Sequence, residues 1–117
     1  MIGDLNKFIQ GAGAALVPPA VRTAGGSGPA VQVWEAHTLR ATLAVTAVGG
    51  TTPTLTVTLE TSQDGTTWRS LGAFPVVTGV GTTRFSVSGL DNLVRASWAV
   101  AGTTPSFTFA VSGELVG

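Results

Sequence analysis

Hydrophobic and polar residues alternate along most of the chain with a period of two, which predicts strands rather than helices. Val31 and Val33 flank Gln32 in a first short strand. Leu39, Ala41, Leu43, Val45 and Ala47 then alternate with Thr38, Arg40, Thr42, Ala44 and Thr46, predicting a long strand with one face inward. Leu55, Val57 and Leu59 alternate with threonines in the next one. Further strands are expected over Trp68–Phe74, more weakly around Val76-Val77, and at Phe85 and Val87. Two more follow, with Val94, Ala96, Trp98 and Val100 inward in one and Phe107, Phe109 and Val111 inward in the other. Seven or eight short strands with regular turn signals predict an all-β fold, an antiparallel β-sandwich of the jelly-roll or immunoglobulin-like kind.

Residues 1–29 read differently. Ile2, Leu5, Phe8 and Ile9 have near-helical spacing, but Gly11 and Gly13 interrupt it, and Val17-Pro18-Pro19 follows. Gly25-Gly26-Ser27-Gly28-Pro29 reads as a flexible connector. The expected organisation is an extended N-terminal arm with a glycine-rich linker over 1–29 and a β-sandwich domain over 30–117. Phe8, Ile9, Leu16 and Val17 would give an arm apolar area to bury on a neighbouring subunit. Trp34 is out of phase with Val31 and Val33, which marks it as a further candidate contact.

One segment recurs. Ala47-Val48-Gly49-Gly50-Thr51-Thr52-Pro53-Thr54-Leu55 returns as Ala99-Val100-Ala101-Gly102-Thr103-Thr104-Pro105-Ser106-Phe107. Glycine permits positive φ and proline withholds an N–H, so each copy is expected to be the turn of a hairpin. A second turn signal is Thr61-Ser62-Gln63-Asp64-Gly65-Thr66-Thr67-Trp68. Asp-Gly favours a tight hairpin, and the Ser62 hydroxyl can hydrogen-bond the turn backbone. The string resembles the Ser-x-Asp-Gly-x-x-Trp turn of sandwich modules, including discoidin-like sugar or lipid binders. It is also similar to the Asp-box of sialidase propellers, without the residue between Asp and Gly. In those families it is a folding device.

Composition narrows the function. Charged residues are 10% of the chain, against about 25% in an ordinary globular domain. Gly, Thr, Ala and Val take their place, so much of the surface must be small and uncharged, which suits a surface covered by partner subunits. Net charge is zero and the six basic residues are dispersed, so no stripe exists to neutralise nucleic-acid phosphates. There is no Cys, hence no disulfide and no thiolate metal ligand. No stretch approaches the length of a membrane-spanning helix, and the N-terminus lacks a signal peptide's basic start. His37 is the only histidine, and the carboxylates are scattered without the spacing of a calcium loop. No catalytic, cofactor or metal site is therefore expected, and the chain is read as a non-enzyme.

From Leu39 onward the chain resembles the small β-sandwich structural proteins of tailed bacteriophage particles. The residues that carry this are Leu55-Thr-Val-Thr-Leu-Glu-Thr-Ser-Gln-Asp-Gly-Thr-Thr-Trp68, Leu71-Gly-Ala-Phe74, Val94-Arg-Ala-Ser-Trp98 and Gly102-Thr-Thr-Pro-Ser-Phe-Thr-Phe109. The resemblance implies a structural virion protein of the capsid decoration (cement) or minor capsid type, made in the host cytoplasm and placed on the capsid surface. It implies the major capsid protein and further copies of this chain, commonly in a trimer, as partners. A neck or tail accessory protein fits the same resemblance. The alternative from another class is a carbohydrate- or cell-surface-binding module using Trp34 and the two Thr-Thr-Pro loops.

Overall fold

In a computed structural model of the chain, residues 14–33 and 38–116 can be described. They form seven strands: β1 (Ala14–Arg22), β2 (Gly26–Ser27), β3 (Val31–Gln32), β4 (Thr38–Ser62), β5 (Arg69–Ala73), β6 (Gly81–Val87) and β7 (Leu93–Val116). The fold is all-β, every pairing is antiparallel, and no helix occurs among the described residues.

Two strands dominate. β4 has 25 residues and β7 has 24, and they pair along their whole length, from Thr38↔Val116 to Ser62↔Leu93. The first half of β4 is flanked by β6 and the second half by β5. The second half of β7 is flanked by β1 and the first half by β2 and β3. Hydrogen bonding thus makes one open sheet, where the sequence suggested two separate ones.

The reason lies in the repeated segment, which corrects the hairpin expectation. Neither copy turns back. Each runs straight on as strand, and the two copies pair with each other through Gly49↔Ser106, Thr51↔Thr103 and Thr54↔Ala101, with register shifts between these pairs. Gly50 (φ 101°) and Thr52 (φ 45°) in one strand match Gly102 (φ 124°) and Thr104 (φ 45°) in the other. A Cβ on Gly50 would lie 2.5 Å from the Thr104 carbonyl oxygen and 2.8 Å from Pro105 Cα. One on Gly102 would lie 2.8 Å from the Thr52 carbonyl oxygen and 3.0 Å from Pro53 Cα. Glycine and proline here shape a paired double bulge, which kinks both long strands without ending them.

Alternation along β4 buries Leu39, Ala41, Leu43 and Val45 before the kink and Leu55, Val57 and Leu59 after it. β7 adds Val94 and Ala96, then Phe107, Phe109 and Val111. Residues of both halves belong to one hydrophobic cluster. Burying a side chain of this size is worth about 1.5–3 kcal/mol, so this cluster is the main source of stability. Phe74, just past β5, meets Phe85 of β6 with ring centroids 5.4 Å apart.

The segment expected to be an arm contains β1, which is part of the sheet. Its pairing runs from Ala14↔Gly113 to Arg22↔Phe107. Pro18 and Pro19 are accommodated because, among the described strands, β1 lies at an edge of the sheet, the position at which a missing N–H costs least. Arg22 ties this region down, donating to the carbonyls of Pro18 (2.9 Å) and Ala20 (3.2 Å) in β1 and of Phe109 (3.2 Å) in β7. Near Val77 the sheet gains only an isolated bridge to Leu55, not the separate strand suggested by Val76-Val77.

Candidate binding surfaces

Of the five residues expected to touch a partner, two are placed by the structure and both are internal. Leu16 and Val17 are fully buried in the core of their own chain, so the expectation that they reach a neighbouring subunit is corrected. They alternate badly around two prolines, yet the register shifts in β1 turn both inward. Phe8, Ile9 and Trp34 lie outside the described residues, as does His37.

The Ser62–Trp68 loop forms as its sequence suggested in chemistry but not in length. Ser62 Oγ accepts from the amides of Gly65 (2.9 Å) and Asp64 (3.3 Å) and donates to Asp64 Oδ1 (3.0 Å). Asp64 Oδ1 in turn accepts from the amides of Thr66 (2.8 Å) and Thr67 (2.9 Å). These donors, with the Thr67 amide foremost, hold the Asp64 carboxyl below its ordinary pKa. Only Gly65 takes positive φ (79°), so the tight two-residue hairpin gives way to a longer loop capped by side chains. Trp68 closes the segment. It lies under the Arg95 guanidinium, 4.2 Å from the ring centroid, while Arg95 Nε donates to Glu60 Oε1 at 2.8 Å.

Beside the loop is a shallow hollow of about 320 Å³ lined by Thr61, Gln63, Asp64, Thr67, Arg69 and Asp91. Its floor is the buried Thr61, whose hydroxyl donates to the Leu93 carbonyl (2.7 Å) and accepts from the Asp91 amide (2.8 Å). Arg69 Nε reaches Asp91 Oδ2 at 3.3 Å, and Arg69 also donates to the Gly89 carbonyl. Each of the four described carboxylates is thus engaged: Asp64 with its own loop, Asp91 with Arg69, Glu60 with Arg95, and Glu114 with Arg40 at 4.0 Å. Among the described residues no group of three or more His, Cys, Asp or Glu is placed to hold a metal ion.

Across β4 and β7 the outward pairs are Arg40↔Glu114, Thr42↔Ser112 and Ala44↔Ala110 in one half, and Thr56↔Ala99, Thr58↔Ser97 and Glu60↔Arg95 in the other. Trp98 is half-buried, edge-on to Phe109 at 5.6 Å, beneath Arg22 and donating from Nε1 to the Ala24 carbonyl. It packs against the core, as its alternation with Val94 and Ala96 suggested. Among the described residues, Val21, Val76 and Val80 are the large hydrophobic side chains left in solvent.

A second hollow, of about 180 Å³, lies on the outward face of β6, β4 and β7 and is lined by polar Arg40, Thr42, Arg84, Ser86 and Glu114 over Ala41 and Phe85. Arg84 is exposed and makes no hydrogen bond or ion pair among the described residues. Sequence reasoning passed over it because a lone arginine in an alternating run looks like any solvated position. Only the strand order shows that it stands at the edge of the sheet. No protein-family model matches this chain, and no curated protein matches it.

Proposed function

We propose that this chain is a structural protein of a tailed-bacteriophage particle, a capsid decoration protein that binds the major capsid protein and its own copies, as a trimer, on the capsid surface. The observation that carries the reading is the composition of the outward faces. The outward pairs across β4 and β7 are mostly threonine, serine and alanine, and the charges of these two strands are matched in the ion pairs Arg40–Glu114 and Arg95–Glu60, so no net charge opposes the close approach of another subunit. Each contact on such a face is modest, and repetition over a lattice multiplies it. In the same reading the chain catalyses nothing, and its arginine–carboxylate pairs serve the fold. The single sheet then closes over its common core as a two-layered sandwich, a reading supported by the Phe74–Phe85 contact.

Purified protein added to particles that lack it should bind to saturation and raise the temperature at which the shell ruptures. Electron microscopy of decorated particles separates a capsid position from one at the neck or tail. Failure to bind any part of the particle, together with specific binding on a glycan array, would reverse the proposal in favour of a surface-binding module.

A further inference from the structure

The lateral edges of the sheet are not alike. β1 carries Pro18 and Pro19, and its register against β7 shifts twice. β2 and β3 are two-residue contacts separated by Gly28-Pro29-Ala30. β5 has five residues, and its pairing with β4 shifts between Leu59 and Glu60. Proline, bulges, shortness and edge charges are the usual means of stopping an edge from recruiting another strand. β6 has only the last of these, in Arg84. Its seven residues, Gly81–Val87, pair with β4 in unbroken register from Leu39↔Val87 to Val45↔Gly81, and no described strand covers its other side.

Charge qualifies what this edge can accept. Arg84, at the middle of β6, is exposed and has no ion-pair partner among the described residues, and Arg40 stands one strand further in with Glu114 at only 4.0 Å. Pairing β6 with a second β6 about a two-fold axis would gather two copies of Arg40 and Arg84 on one face, where like charges repel. An opposite charge at the same place gains a charge-assisted hydrogen bond.

We propose that the open edge of β6 takes up an extended segment of a partner protein, added as a further strand, with a carboxylate placed beside Arg84. Backbone hydrogen bonds supply the affinity and Arg84 supplies the choice of partner. The proposal rests on the assembly reading above and names the edge through which assembly occurs.

The test uses the full chain and two synthetic seven-residue peptides of alternating valine and threonine, one with a central glutamate and one with a central lysine. Amide chemical shifts should move along Gly81–Val87 with the glutamate peptide, which should bind about tenfold more tightly than the lysine peptide. R84E, an exposed substitution whose melting temperature should match the parent's, should reverse that order. Equal binding of both peptides, shifts centred elsewhere, or a dimer with β6 amides already protected from exchange would overturn the proposal. If R84E still decorates particles as the parent does, β6 docking is wrong and the assembly reading stands. If the parent binds the glutamate peptide at β6 but no particle, the edge stands and the assembly reading falls.

Discussion

Thr51 lies directly opposite Thr103, and the repeated segments around them meet on either side of that pair. The relation extends outward from it. β6 flanks the first half of β4 as β2 and β3 flank the first half of β7, and β5 flanks the second half of β4 as β1 flanks the second half of β7. The described strands therefore form two similar units, β1 to β4 and β5 to β7, with β2 and β3 together in the place that β6 holds in the second, arranged about the kink.

The kink should tolerate no side chain at its glycines. Gly50→Ala places a Cβ against the Thr104 carbonyl oxygen at a positive φ, and Gly102→Ala does the same against Thr52. Each should cost about 2 kcal/mol or more. The double substitution should cost less than their sum, because both distort the same crossing. Urea denaturation measures all three.

Thr52 presents the opposite case, since a β-branched residue at φ 45° is strained and this one is exposed. Thr52→Asn should raise stability by about 1 kcal/mol, asparagine being better suited to left-handed backbone. Thr104→Asn should gain less, because Thr104 Oγ1 donates to the Thr103 carbonyl at 2.8 Å. Thermal melts of the two variants decide it.

Truncation tests the place of β1. Removal of residues 1–24 takes away β1 and should abolish cooperative folding. Leu16→Ala should cost about 2–5 kcal/mol, as for a fully buried leucine. A full-length protein indifferent to Leu16→Ala would show that β1 does not belong to the core.

Acid should loosen the Ser62–Trp68 loop only once the pH falls below the ordinary carboxylate range. The Asp64 carboxyl has a lowered folded-state pKa, so the support it gives is present above the ordinary carboxylate range and is lost as pH falls through the lowered value. The Thr66 and Thr67 amide resonances should titrate together with Asp64 below that range. Asp64→Asn should remove this titration while β4 and β5 remain paired.

The strands were legible because alternation is a property of each residue and its near neighbours. Val94, Ala96, Phe107 and Phe109 needed no tertiary information to be placed inward. The Ser62 and Asp64 hydrogen bonds were equally local. The Gly-Thr-Thr-Pro segments misled because glycine and proline punctuate a turn and a bulge alike. What distinguishes the two is the partner strand, here the other copy, half the chain away. Leu16 and Val17 were lost for a related reason: Pro18-Pro19 excludes a central strand but not an edge. The unpaired position of Arg84 depends on strand order alone, which no periodicity reports.

Because β4 and β7 run through both halves and residues of both halves share one hydrophobic cluster, opening either half uncovers apolar surface of the other. Amide exchange from the middle of these strands should therefore proceed only by whole-molecule opening, with one common rate-limiting free energy from Leu43 to Leu59. A protein so built yields under load as a single mechanical element, holding fully until it releases at once.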